Sequence, residues 1–276
     1  MSENGKLWVV ATPLGNTGDL SPRAREILMD ADVILAEDTR RAGLLFKRLG
    51  LERYGRLVSF FEHNEEKRLP KVLELLGDGM SVALISDAGT PLLSDPGFTL
   101  VRACRDEGFA VSPVPGPSAP VVALSASGLP PLPYTFLGFL PRKKSQTEKL
   151  LRTHGATGAT LVFFERKSRL RGTLSIAHAA LGDREFCVAR ELTKEYEEFI
   201  RGDLGRLDDF DLELRGELTV IIAPVGEQGE TSEEALVHIM DEEREVGGKP
   251  KEIARRVAER ACGWTAKEVY ALMRSS

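Results

Sequence analysis

The strongest constraint on this chain is a rhythm in residues 7–114, where short apolar runs alternate with stretches patterned for helix. The runs are Leu7-Trp8-Val9-Val10-Ala11, Val33-Ile34-Leu35-Ala36, Leu57-Val58-Ser59-Phe60, Val82-Ala83-Leu84-Ile85 and Ala110-Val111-Ser112-Pro113-Val114. Successive side chains of a strand point to opposite faces, so a run that is apolar throughout must be covered on both sides. Ser21-Pro22 supplies a helix N-cap followed by proline at the first helical position, and Gly50 closes a helical pattern begun at Asp38. Strand, helix, strand in this order predicts a parallel sheet sandwiched between helices.

The rhythm breaks after Val114. From Pro115 to Pro133 the chain holds six of its fifteen prolines, bracketing a helical piece at 118–127, and such a segment reads as a passage between domains. We expect an N-terminal parallel-sheet α/β domain over 1–117 and a second, mixed α+β domain over 118–225. The strand candidates of the latter are Tyr134–Phe139, Thr160–Phe164, Phe186–Ala189, Glu198–Gly202 and Leu218–Ala223. A polar linker at 226–230 then leads to a small helical module over 231–276. Thr231…Glu234 and Thr265…Glu268 fit capping boxes. A helix from Lys251 would gather Ile253, Ala254, Val257, Ala258 and Ala261 on one face, and Cys262-Gly263-Trp264 would turn the chain into a last helix, as in helix-turn-helix units.

Composition narrows the function classes. Three cysteines far apart (Cys104, Cys187, Cys262) suit a reducing cytosol and offer no disulfide framework. No apolar run approaches the roughly 18–20 residues that span a bilayer, and residues 1–6 lack the apolar core of a signal peptide, so a cytoplasmic location is expected. A net charge of −5 argues against coating nucleic acid indiscriminately, but leaves room for a local basic patch. The four histidines stand apart from one another and from the cysteines, so no metal site is expected. There is no Walker A motif, and the loop after the first run, Ala11-Thr12-Pro13-Leu14-Gly15-Asn16, is not G-x-G-x-x-G.

The segment richest in chemistry is Ser86-Asp87-Ala88-Gly89-Thr90-Pro91-Leu92-Leu93-Ser94-Asp95-Pro96-Gly97. It follows a buried strand, at the carboxyl edge where open α/β sheets bind ligands. Its first half is longer than a plain connection needs, which points to a binding loop. Its second half suits a helix start, with Asp95 as N-cap and Pro96 in the first turn.

With these residues stand Ala-Thr-Pro-Leu-Gly-Asn at 11–16, Ala-Glu-Asp-Thr-Arg at 36–40, Glu-His-Asn-Glu at 62–65, Val-Pro-Gly-Pro-Ser-Ala at 114–119, Phe-Leu-Gly-Phe-Leu-Pro-Arg-Lys at 136–143 and Glu-Leu-Thr-Lys at 191–194. The ordered series resembles the tetrapyrrole-methylase superfamily, and within it the branch that acts on ribosomal RNA. That resemblance implies two α/β domains with S-adenosylmethionine in the cleft between them, a homodimer, and 2′-O-methylation of a cytidine in the 16S rRNA decoding centre of the small ribosomal subunit. Carried over by position, it implies cofactor-binding roles for Pro13 in the first loop, for Asp87, Ala88, Gly89, Leu92 and Leu93 on the methionine and ribose parts, and for Ser118 and Ala119 in the next loop. It implies further that Phe163, Phe164, Ala189, Glu217, Leu218 and Thr219 frame the adenine.

A ribose hydroxyl is a weak acid, so a base or a polarising cation should assist its methylation. Candidates are Glu37, Asp38 and Arg40 after the second strand, and Glu62, His63 and Asn64 after the third, with no single base assigned. RNA contact is expected from Arg142, Lys143 and Lys144 in a loop, and from Arg166, Lys167, Arg169 and Arg171 after the Phe163-Phe164 strand. Lys249, Lys251, Arg255, Arg256 and Arg260 make a third basic surface, diluted by Glu252 and Glu259. A small-molecule methylase of the same superfamily would need neither the basic loops nor the tail. An RNA-binding factor without catalysis would bind S-adenosylmethionine without turnover.

Overall fold

The computed structural model describes residues 5–52, 54–212, 214, 216–225, 233–261 and 264–275. The chain falls into two compact units, Met1–Ile222 and Ala223–Ser276.

The first unit begins with a five-stranded parallel sheet: β1 (Lys6–Val10), β2 (Val33–Ala36), β3 (Arg56–Ser59), β4 (Ser81–Ile85) and β5 (Ala110–Val114), in the order β3-β2-β4-β1-β5. The helices are α1 (Pro22–Asp30), α2 (Thr39–Arg48), α3 (Glu65–Gly77), α4 (Phe98–Asp106) and α5 (Ala119–Ala126). The doubly apolar runs do what their pattern requires. Ile34 and Ala36 of β2 join Leu28 of α1 and Phe46 of α2 in one core, while Val33 and Leu35 join Leu76 of α3 and Leu100 of α4 in another. Ser21 caps α1 with Pro22 in its first turn, and Gly50 ends α2 at φ 64, a conformation glycine adopts without steric cost.

A second sheet is mixed, as expected. It comprises β6 (Tyr134–Phe139), β7 (Thr160–Arg166), β8 (Glu185–Arg190), β9 (Glu198–Asp203) and β10 (Glu217–Ile222), in the order β6-β7-β10-β8-β9. Only β6 and β7 run parallel, and α6 (Lys144–Gly155) makes that crossover; α7 (Leu170–Leu181) then leads to β8. Both helices cover one face of the sheet, where Leu151, Leu170 and Leu174 meet Phe163, Phe186 and Val220. On the sheet itself α5 packs against β10 and β7, so one helix ties the parallel sheet to the mixed one.

Two local expectations need correction. Arg142-Lys143-Lys144 is not all loop, because Lys143 is the N-cap and Lys144 the first residue of α6. Nor do Asp95 and Pro96 open α4, which starts at Phe98 with Gly97 as its cap. Gly97, at φ 121, lies so close to β4 that a Cβ there would come within 2.5 Å of Leu84, so the chain turns on a bare backbone before the helix begins.

The second unit holds α8 (Glu233–Val246), α9 (Pro250–Arg260) and α10 (Ala266–Ser275) around Leu236, Met240, Ile253, Ala254, Val257, Ala261 and Val269. The Thr265–Glu268 capping box forms, with each side chain accepting from the other residue's backbone N–H at 3.3 and 2.8 Å. Arg256 and Arg260 bind Glu243 and Glu242, which removes part of the third basic surface from solution. The capping box begun at Thr231 and the turn at Cys262-Gly263 lie outside the described residues. Among the described residues no helix is long and apolar enough to cross a membrane.

Candidate active site

A cavity of about 690 Å³ opens where the carboxyl ends of the parallel strands face the mixed sheet. Its first wall is assembled from four loops. Leu14 follows β1, Glu37 and Arg41 follow β2, residues 87–90 and 93–95 follow β4, and residues 118–120 follow β5. These four strands are neighbours, and β3 is the edge strand beyond β2. Glu62, His63 and Asn64 therefore stay outside the cavity lining. Asn64 is occupied locally, accepting from Phe61 N at 2.9 Å and donating to Ser59 O at 3.3 Å. His63 is exposed beside the Phe61 ring.

The wall is rigid because its loops are cross-tied. Thr12 and Gly89 exchange backbone hydrogen bonds of 2.9 and 3.0 Å, and Thr90 Oγ1 donates to Pro117 O at 2.9 Å. Gly89 sits at φ 82, and a Cβ on it would meet Leu14 Cδ2 at 3.1 Å. Any side chain here would press on the lining of the cavity. Leu92 and Ser94 also have positive φ, 73 and 74, which costs non-glycine residues about 1–3 kcal/mol each and marks a loop shaped for a task. Pro13 and Leu92 do not line the cavity, while Asp87, Ala88, Gly89, Leu93, Ser118 and Ala119 do.

Carboxylates dominate this wall. Asp87 takes an ion pair from Arg41 at 2.7 Å. Glu37 is held above the usual carboxylate range by burial and by the charge of Asp87, with Arg41 opposing. Asp95 is pushed up to about 7 by burial and then by Glu37, with Ser86 opposing and Asp87 adding to the rise. Asp38 has a different duty. Its carboxylate caps α2 by accepting from Arg40 N and Arg41 N, and pairs with Arg40 Nη2 at 2.8 Å, which holds it well below the usual range. Arg40 itself is 89% exposed, and neither residue lines the cavity.

The mixed sheet supplies the facing wall. Alternation along β7 sends Phe163 into the core under α6 and α7 and turns Phe164 to the cavity. A register shift between Phe136 and Phe139, with Gly138 at φ 63, brings Phe139 round to the same side, its ring 5.4 Å from that of Phe164. Glu217, Leu218 and Thr219 of β10 line the wall, and Ala189 lies buried beside Thr219 in the ladder. Leu192 closes one end. Its loop is latched by Lys194, which binds Glu191 at 3.0 Å and Glu217 at 3.1 Å, and by Thr193 Oγ1, which accepts from Asn16 N at 3.1 Å.

The basic residues divide. Arg166 and Lys167 line the cavity. Arg169 is turned inward, donating to Leu140 O and Pro141 O at 3.2 and 2.7 Å and lying 3.6 Å from the buried Glu165. Arg171 pairs with Asp208 at 3.1 Å. Arg142, Lys143 and Lys144 stand exposed on the segment that Arg169 anchors. Sequence reasoning did not single out Arg41, Ser94, Asp95 or Phe139 for the site. Only the alternation along β7, visible in the sequence, could have separated Phe164 from Phe163.

Comparison with known proteins bears on the family and the fold. The chain is 40% identical over 274 residues to a protein of Micromonospora olivasterospora, covering 98% of this chain and 87% of that one. It is 41% identical over 263 residues to one of Halalkalibacterium halodurans, with coverage of 93% and 90%. Both relatives carry the name ribosomal RNA small subunit methyltransferase I. Among solved structures, the methyltransferase CobJ superposes with a TM-score of 0.63 at 20% identity, covering 80% of this chain and 95% of that one. Diphthine synthase superposes with a TM-score of 0.62 at 14% identity, with coverage of 79% and 89%. At such identities these two speak for the fold alone. The profile of the tetrapyrrole (corrin/porphyrin) methylases matches residues 6–208, and the chain belongs to that family of S-adenosylmethionine-dependent enzymes.

Proposed function

We propose that this chain moves the methyl group of S-adenosylmethionine onto the ribose 2′-hydroxyl of a cytidine in the 16S rRNA decoding centre of the small ribosomal subunit. The observation that carries this reading is the cavity's lining, in which Glu37, Asp87 and Asp95 gather with Arg41 on the parallel-sheet wall, and Arg166 and Lys167 stand with Glu165 and Glu217 on the mixed-sheet wall. The names of the curated relatives, which match nearly the whole chain, supply the class of acceptor.

The residues fit the cofactor. A cavity of about 690 Å³ falls within the usual range for small-molecule sites. Its carboxylate wall suits a ligand with cationic sulfonium and ammonium groups, and the bare backbone at Gly89 leaves room for close approach. Asp87, Ala88, Gly89, Leu93, Ser118 and Ala119 would hold the methionine and ribose parts, and Phe164, Leu192 and Glu217–Thr219 would frame the adenine. When bound, the cofactor supplies a methyl group made electrophilic by its positive sulfur.

The chain's own work is to orient the acceptor, exclude water and manage a proton. Phe139 and Phe164, their rings 5.4 Å apart, give the cavity an apolar edge on the adenine side. Arg166 and Lys167 attract the phosphates flanking the target ribose, and Arg142, Lys143 and Lys144 extend that attraction along the strand. Both cysteines among the described residues are buried, with thiols pushed up to about 11 by that burial, so neither offers a thiolate for covalent attack on a base carbon. This speaks against a base-carbon acceptor, and the choice of oxygen over nitrogen rests on the resemblance to the ribosomal RNA branch of the family. Action on the ribosome would place the protein in the cytoplasm, and a homodimer fits the family.

Alkaline hydrolysis tests the reading, because cleavage needs a free 2′-hydroxyl beside each phosphate. We expect 16S rRNA from cells holding the protein to carry one alkali-resistant linkage, at a cytidine, that disappears when the protein is removed. Methylated rRNA that still cleaves at every linkage would place the methyl on a base and overturn the proposal.

A further inference from the structure

The loop between β4 and α4 ends in a carboxylate that caps no helix and has the Ser86 hydroxyl as its hydrogen-bond partner. An aspartate before a proline at a strand-to-helix turn ordinarily caps the helix. Here the cap comes from another helix. Glu65, on α3 and only 9% exposed, accepts from Gly97 N at 3.4 Å, an N–H that Asp95 would serve as N-cap, and from Leu100 N at 3.2 Å in the first turn of α4. The positive φ of Leu92 and Ser94 and the pivot at Gly97 then bring Asp95 into the cavity wall. Asp87 is paired with Arg41 and Asp38 with Arg40, whereas Glu37 and Asp95 form no ion pair among the described residues, and of these two only Glu37 feels the charge of Arg41.

We infer that Asp95 is the catalytic base, taking the proton of the acceptor hydroxyl as the methyl group is transferred; the inference rests on the reading of this cavity as a hydroxyl-methylating site. The hydroxyl oxygen forms its bond to the methyl carbon, the carbon–sulfur bond breaks with its electron pair left on sulfur, and the hydroxyl proton passes to an Asp95 carboxylate oxygen and on to solvent. Charge and atoms balance without a further reactant.

The surroundings suit the role. Glu37 faces Asp95 from the end of β2, Asp87 and Ser86 from its own loop, and Arg41 of α2 is engaged by Asp87. Glu165, Arg166, Lys167 and Glu217 line the same cavity from the mixed sheet, and Glu65 is turned to the α4 N-terminus. Burial and the neighbouring carboxylates push Asp95 up to about 7, where a base is both substantially ionised and strong enough to accept a proton near neutral pH.

The test compares wild type, Asp95→Asn and Asp95→Glu in single-turnover methylation of small ribosomal subunits across pH, with donor affinity followed by calorimetry. We expect Asp95→Asn to lose roughly 10²- to 10⁴-fold in the rate of the chemical step at saturating S-adenosylmethionine, a loss larger than the change in donor affinity, while KM for the subunit holds. The wild-type rate should rise with pH through an inflection that the Asn variant lacks. Asp95→Glu should recover part of the rate. A ¹³C-carboxyl titration of the protein without ligand should show a resonance titrating near 7 that is absent from Asp95→Asn. An Asn variant as fast as wild type, one that keeps the inflection, one whose loss lies wholly in donor affinity, or an Asp95 carboxyl titrating in the ordinary range overturns the role of Asp95. Wild-type protein that leaves ribose unmethylated overturns the functional reading itself, and the two failures are distinguishable.

Discussion

Neutralising Asp95 should make the protein more stable, and only above acidic pH. In the folded chain this carboxyl sits at about 7, against an ordinary value of 3.8 when unfolded. Each tenfold change in proton affinity is worth about 1.4 kcal/mol, so the full gap corresponds to about 4 kcal/mol. The group is only partly buried, and solvent screening reduces this to about 2 kcal/mol. The sign follows from linkage. A carboxyl whose folded value is raised contributes fully below its unfolded value, and that contribution is lost as pH climbs to the folded value. Asp95→Asn mimics the protonated form at every pH. Its advantage over wild type in urea unfolding should grow from below about 1 kcal/mol near pH 4 to about 2 kcal/mol near pH 8.5. The higher pH should also show a rise of roughly 4–8 °C in Tm. An Asn variant less stable than wild type at the higher pH, or an advantage that does not change with pH, would refute the argument that this site stores unfavourable charge for function.

Two further outcomes probe the two walls. Gly89→Val forces a branched side chain to φ 82 against Leu14, so it should cost about 1–3 kcal/mol of stability and abolish S-adenosylmethionine binding in calorimetry; unchanged affinity in the folded variant would remove this loop from the cofactor site. Replacing Arg142, Lys143 and Lys144 with Glu should weaken RNA binding and flatten its dependence on salt, because fewer counterions are released, while cofactor affinity holds; RNA affinity and salt slope both unchanged would make the segment plain surface.

What the sequence by itself determined was everything that depends on neighbours a few residues away. Doubly apolar runs such as Val33–Ala36 dictated buried parallel strands, Ser21-Pro22 and Asp38 marked helix starts, and Gly50 marked a helix end, because periodicity and capping act within one or two turns. The order of motifs likewise pointed to the family and its cofactor. Which motifs share the cavity was a different question, and the order of strands answered it. The Glu37 loop and the Glu62–Asn64 loop look equivalent in sequence, yet β2 lies next to β4 and β3 lies at the edge, so the sheet includes the first and leaves out the second. Asp95 reads as a helix cap until Glu65, thirty residues earlier, is seen occupying that cap. Arg169 reads as a phosphate ligand until the fold brings Leu140 and Pro141 to its guanidinium. Each of these outcomes hangs on hydrogen bonds between residues distant in the chain, whose partners are chosen only when the sheets assemble, and no local pattern encodes that choice.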